Sequence, residues 1–227
     1  MRRMLLEVIV QSVSDAREAF HGGADRLEVV RAIRDGGLTP PISLVRAIAA
    51  ETSLPLRVMV RQNAGFETDM RELPVLRRAA AEFAAAGVDG IVLGFAHEGE
   101  ASLDEVARVL QAAPSVRVTF HRAFDTLRDP LHTIDELVRM PQVDRILTSG
   151  GDLPAAARCE RLREYTARAG SGLRIVAGGG IDENTLALFA RVECVREVHI
   201  GRAARERADA EGSVSAARVK RLREMAG

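Results

Sequence analysis

Four stretches of this chain repeat one pattern: an apolar or small residue, usually an aspartate, then a short apolar strand. They are Ala24-Asp25-Arg26-Leu27-Glu28-Val29, Val88-Asp89-Gly90-Ile91-Val92-Leu93, Val143-Asp144-Arg145-Ile146-Leu147-Thr148 and Val195-Arg196-Glu197-Val198-His199-Ile200. Four other apolar runs fall between them, at Leu5 to Val10, Leu56 to Val60, Val116 to Phe120 and Leu173 to Ala177. Short runs rich in Val, Ile and Leu are the mark of parallel strands covered on both faces. Self-similarity of this kind points to repeated supersecondary units.

The gaps carry helical periodicity, for example over Ser14 to Phe20, Ser43 to Glu51, Asp69 to Ala86, Ser102 to Ala113, Pro130 to Met140 and Asp182 to Val192. Capping residues (Ser14, Asp69, Ser102, Asp129, Asp182) open several of them. Gly22-Gly23 and Gly87 close two, just before a strand. Strict β-α alternation with right-handed crossovers leaves a closed barrel or an open doubly wound sheet. Eight units in near-fourfold repeat predict the barrel: a (βα)8 TIM barrel, with 1–227 as a single domain.

Composition then narrows the chemistry. The 227 residues carry 32 basic and 32 acidic side chains, which argues against nucleic acid or an anionic membrane surface as partner. No run approaches the roughly 20 apolar residues of a membrane span. The basic start at Met1-Arg2-Arg3 looks like a leader, but its apolar stretch carries Glu7 and lacks a small-residue cleavage site, so it reads as a first strand. Cys159 and Cys194 sit in no metal-binding spacing and read as reduced packing residues of a cytoplasmic protein. Lys220 is the sole lysine and lies in the terminal Arg/Glu-rich helix, which excludes Schiff-base and P-loop chemistry. Tyr165 falls inside a charged helix. The working groups must be Glu, Asp, His, Arg or Ser.

In such a barrel, catalytic residues project from the C-terminal ends of strands. Glu7 and Glu28 lie on the first two strands, Arg61 follows the third, and His121-Arg122-Ala123-Phe124-Asp125 follows the fifth. The eighth strand carries Glu197 and His199. Charges on buried strands are costly unless paired or used. A pair such as Glu28 with Arg57 or Arg61 would be purely structural, yet the set as a whole reads as a pocket. His121 is the leading proton-transfer group, with Asp125 placed to orient it. Glu197 and His199 share a strand face and form either a second acid/base pair or a satisfied ion pair. His21 and His132 read as surface residues, and His97 as a loop residue near the rim.

The glycine turns suggest a ligand type. Gly178-Gly179-Gly180 after the seventh strand and Gly201-Arg202 after the eighth leave N–H groups free at the recurrent phosphate position of these barrels. Ser149 and Gly150 after the sixth strand, with Arg61 and Arg122 as clamps, extend the expected anion-binding set.

Taken together, these segments resemble the CutC family. The residues that carry the resemblance are Leu6-Glu7-Val8, Gly23 to Glu28, Gly36-Gly37-Leu38-Thr39-Pro40, Thr119 to Asp125, Ile146 to Gly151, Ala177 to Gly180 and Glu197-Val198-His199. The resemblance implies a cytoplasmic barrel that forms homo-oligomers, dimers or tetramers, with a role in handling copper. It also implies cysteines two residues after the glutamates of strands one and two, where this chain has Ile9 and Val30. Cu(I) prefers thiolate or thioether ligands, so Met59 is the one sulfur expected near the pocket. The segment after the third strand, Arg61-Gln62-Asn63-Ala64-Gly65-Phe66, keeps only the arginine of the family pattern.

Two functional readings follow. The first is an isomerase- or lyase-type enzyme acting on a small anionic, phosphorylated or sugar-like metabolite. Glu7, Glu28, His121, Asp125 and His199 would supply the acid/base groups. A divalent metal or copper on Glu7, Glu28, His121 and His199 would be its cofactor. The alternative is a protein that binds or handles copper without catalysis. A scaffold role would leave the inward-facing charges unexplained.

Overall fold

Strands of four to six mostly apolar residues need cover on both faces, and closing the sheet supplies it. The structure, a computed structural model, describes residues 3–227; Met1 and Arg2, at the expected start of the chain's first strand, lie outside the described residues. Eight parallel strands form the ring: β1 (Leu5–Val10), β2 (Arg26–Val29), β3 (Leu56–Met59), β4 (Gly90–Leu93), β5 (Arg117–Phe120), β6 (Val143–Thr148), β7 (Arg174–Ala177) and β8 (Glu197–Ile200). Each pairs with its sequence neighbours, and β8 closes on β1 with Glu7 beside His199. The open-sheet alternative is thereby excluded.

The eight helices among the described residues are α1 (Val13–His21), α2 (Ile42–Glu51), α3 (Leu73–Ala85), α4 (Leu103–Leu110), α5 (Pro130–Val138), α6 (Ala155–Ala169), α7 (Glu183–Phe189) and α8 (Ala216–Met225). Asp129 and Asp182 cap α5 and α7 as expected, accepting from the N–H of His132 and Thr185. Two starts differ. Ser12, not Ser14, caps α1 through the Asp15 N–H at 3.0 Å. Asp69 caps a preceding turn through Arg71 and Glu72, and α3 begins only at Leu73, with Pro74 in its first turn.

Alternation along each strand sorts the side chains into two layers. Leu6, Val8, Leu27, Val29, Val58 and Ile91 face outward into one apolar core beneath the helices. The intervening positions face inward, and here the barrel departs from the usual filling of branched apolar residues. Its lower interior is a chain of ion pairs. Arg26 donates to Glu7 and, at 2.7 Å, to Glu197. Arg145 donates to Glu197 at 2.9 Å and also to Asp144. Arg57 holds Asp144 through two bonds, at 2.9 and 2.8 Å, and Asp89 at 2.6 Å.

This corrects two expectations. Arg57 pairs with Asp89 and Asp144 and makes no bond to Glu28. Glu197 belongs to the ion network one layer below His199 and forms no acid/base pair with it.

Gly90 makes the network possible. A side-chain carbon there would fall 2.5 Å from Arg57 Nη1 and 2.7 Å from the Arg117 carbonyl oxygen. Gly90→Ala is therefore expected to destabilise the fold by about 1–3 kcal/mol through overpacking. Urea unfolding measures this, and an unchanged midpoint would show that the guanidinium has room to move.

Candidate functional site

Above the ion network, the C-terminal ends of the strands open into a cavity of about 810 Å³. Glu28 from β2, His199 from β8 and His121 after β5 line it, as do Arg61 and Arg122. Glu7 lies just beneath.

Glu7 links the two layers. One carboxylate oxygen accepts from Arg26, and the other lies 2.7 Å from His199 Nδ1. Burial works to raise the Glu7 pKa, but the charge of Arg26 and the His199 hydrogen bond outweigh it and hold the carboxyl well below the usual range. An ionised Glu7 fixes Nδ1 of His199 as the donor, which turns Nε2 toward Glu28, 3.7 Å away.

Glu28 is in the opposite situation. Burial, aided by the charge of Glu7 and opposed by His199, pushes its pKa up to about 7. Its Oε1 has no hydrogen-bond partner. Burial also disfavours the His199 imidazolium, yet the carboxylates of Glu28 and Glu7 overcome this and raise its pKa. Glu28 and His199, 3.7 Å apart, are thus a neighbouring acid and base whose pKa values are both raised.

The surroundings of His121 differ from those of Glu28 and His199. Its Nδ1 accepts the Ala123 N–H at 3.2 Å, so the proton sits on Nε2, which is buried without a partner. Burial, reinforced by the positive charge of Arg61, lowers its pKa to about 3. The ring is thus held neutral, with Nε2–H as its free donor. Asp125 does not orient it. That carboxylate accepts from Thr148 Oγ1 at 2.5 Å, from the Ser149 N–H and from Arg122 Nε at 2.8 Å, so it ties the turn after β6 to Arg122.

The expected anion-binding residues divide in the same way. Ser149 and Gly150 are turned inward: the Ser149 N–H goes to Asp125, the Gly150 N–H to Thr148 Oγ1, and Ser149 Oγ accepts from Gly151. Neither lines the cavity. Gly179, Gly180, Gly201 and Arg202 do line it. Among the described residues the N–H groups of Gly179, Gly180, Ile181, Gly201 and Arg202 have no protein acceptor. Gly179 and Gly180 adopt φ of +73° and +65°, a conformation that favours glycine and gives this turn its shape.

Arg158, on α6, was not anticipated. It donates to the carbonyls of Gly178 at 2.7 Å and Gly179 at 3.0 Å, and so anchors the carbonyl side of the glycine turn. Arg61 is less available than expected. It spends three donors on the carbonyls of Gly65, Ala64 and Gly36 and lies 4.8 Å from the Phe66 ring centre, so it braces two loops at the rim.

Glu7, Glu28, His121 and His199 do not make the expected metal cage. Among the described residues, no three His, Cys, Asp or Glu side chains converge as ligands. Both Glu7 oxygens are engaged, and Nδ1 of His121 is taken by the backbone. Met59 lines the cavity, while Cys159 lies in the core on α6 and Cys194 packs against that core. His97 is exposed, 3.1 Å from Glu67, and takes no part in the cavity. No described helix is long and apolar enough to cross a membrane.

Comparison with known proteins places this geometry in a family. The CutC family model matches residues 4–204. A CutC family protein of Histophilus somni is 32% identical over 199 residues, covering 87% of this chain and 82% of that protein. One from Sinorhizobium medicae is 36% identical over 201 residues, covering 88% and 81%. The crystal structure of a Streptococcus agalactiae CutC protein, named for copper homeostasis, superposes with a TM-score of 0.80 at 21% identity, covering 86% of this chain and 97% of that one.

Proposed function

Because this chain belongs to the CutC family, its strand-end cavity is where its function should lie, and we propose that the cavity performs acid/base chemistry of isomerase or lyase type on a small anionic molecule. The observation that carries this reading is the placement of Glu28 and His199 side by side in the cavity, 3.7 Å apart with Glu28 Oε1 buried and unpartnered, where burial pushes the Glu28 pKa up to about 7. Glu28 as carboxylate removes a proton from a carbon next to a carbonyl. The neutral His121 donates Nε2–H to the carbonyl oxygen as negative charge builds on it, and His199 returns a proton to the product. The glycine turns after β7 and β8, with the exposed Arg202, hold the anionic end. The free thiols of Cys159 and Cys194 fit the reducing cytoplasm as its location.

A second reading, the handling of copper ions as cargo, is the one the comparisons favour. The S. agalactiae protein carries that role in its name, and none of the relatives above is named as an enzyme. The donor set of this chain fits it poorly, since a single thioether, Met59, is the sulfur among the cavity residues and no thiolate joins it.

Two titrations separate the readings. Inorganic phosphate is expected to raise the melting temperature, and Arg202→Ala to weaken its binding about tenfold, the loss of one charge-assisted hydrogen bond. Competition with a Cu(I) chelator is expected to show no sub-nanomolar binding. Tight Cu(I) binding that disappears in His121→Ala or His199→Ala would establish the copper reading instead.

A further inference from the structure

The cavity wall is not uniformly polar. Val30, Met59 and Val92 form an apolar cluster separate from the main core, with Ile9 and Ile33 packed against it. Ile9 and Ile33 stay only half-buried because they border the cavity. The glycines of the rim fix where this wall stands. A side-chain carbon at Gly201 would fall 3.0 Å from Ile9 Cδ1 and 4.0 Å from Ile33 Cδ1, so the apolar wall begins where the anion-binding turn ends. One at Gly37 would fall 3.1 Å from Val30 Cγ1 and 3.5 Å from Met59 Cε, which carries the wall round to β3.

From this juxtaposition we infer that the cavity takes a small organic oxyanion with a compact apolar body, aromatic or branched aliphatic, whose anionic end sits on the Gly179–Gly180 and Gly201–Arg202 turns and whose body lies against Ile9, Val30, Ile33 and Met59. The inference rests on the anion-binding reading above and narrows its substrate class. A polyol chain in the same position would press hydroxyls onto side chains that offer no hydrogen bond, losing their hydration without return. An apolar body loses nothing there and removes two half-exposed isoleucines from water. The floor supplies the polar contacts that orient it: Glu28 Oε1 and His121 Nε2 are both buried and unpartnered. This replaces the sugar-like compound expected from the sequence with a less hydroxylated one.

The test compares three probes by isothermal titration: inorganic phosphate, glycerol 3-phosphate and phenyl phosphate. Phenyl phosphate is expected to bind at least tenfold more tightly than glycerol 3-phosphate. Ile33→Ser, a half-exposed position in a short turn, is expected to remove most of that advantage while leaving inorganic phosphate binding unchanged. Equal or tighter binding of glycerol 3-phosphate would overturn the apolar-body inference and leave the anion site standing. Binding of none of the three would remove the anion site and this inference with it. A phenyl phosphate advantage that survives Ile33→Ser intact would show that the body lies elsewhere, and would overturn the placement.

Discussion

Arg26→Met is expected to cost about 3–5 kcal/mol of folding stability, the usual penalty for removing one partner from a buried ion pair. Arg26 sits inside the barrel at 2% exposure and is bonded to both Glu7 and Glu197, which are 2% and 1% exposed. Removing it strands two carboxylates far from water. The penalty should depend on pH in a defined direction. A carboxyl held below its ordinary value contributes stability above that value and loses it as pH falls through the folded pKa. Glu7 is such a group, and Arg26 is the principal charge that makes it so. The gap between wild type and variant should therefore be widest at pH 8 and narrow toward pH 4, where the stranded Glu7 takes up a proton. Urea unfolding at the two pH values measures it. A loss under 1 kcal/mol at pH 8 would mean that Arg145 and His199 suffice to hold the network. Arg26→Lys is expected to recover only part, since one ammonium lacks the fork that reaches Glu7 and Glu197 together.

That network also marks the limit of what the sequence discloses. The barrel was legible because its cause is local: each strand announces itself by a short apolar run and each crossover by helical periodicity and a cap. Glu7, Glu28 and His199 were legible as inward-facing groups because a strand alternates its faces. Their partners were not. Glu197 shares a face with His199, yet the barrel sets them at different depths, so one meets Arg26 and the other meets Glu7. Asp125 lies four residues from His121, but the turn after β5 aims it across at Thr148 and Ser149, at the end of the next strand and just beyond it. Arg158 reads as one more arginine on a charged helix until α6 packs beside the glycine turn. These three concern contacts between elements, where direction depends on closure and tilt rather than on spacing along the chain. The tautomer of His121 is a separate, local case: it turns on the direction of one backbone N–H two residues ahead, in the turn that His121 itself caps.

Glu28→Gln should leave an opposite signature. The Glu28 pKa is raised from its ordinary 4.5 to about 7, mainly by burial. Between those values the unfolded chain ionises this carboxyl while the folded protein keeps it protonated. The folded state then binds the extra proton, so stability falls as pH rises through the window. The full difference amounts to roughly 3 kcal/mol at one pKa unit per 1.36 kcal/mol. His199, raised in the folded state, adds a loss of the same sign as pH climbs past its ordinary value. Glutamine keeps the shape of the neutral acid and cannot ionise. The variant should match the wild type near pH 5 and exceed its stability by up to about 3 kcal/mol at pH 8. Proton transfer should fall by roughly 10²–10⁴ in any reaction for which Glu28 is the base. The gain in stability follows from burial alone, whereas the loss of proton transfer marks a group kept for its chemistry, because replacing a carboxyl retained for packing would cost no function. Parallel stability–pH curves for wild type and Glu28→Gln would remove Glu28 from the acid/base pair and leave His199 bound to Glu7 as part of the ion network below.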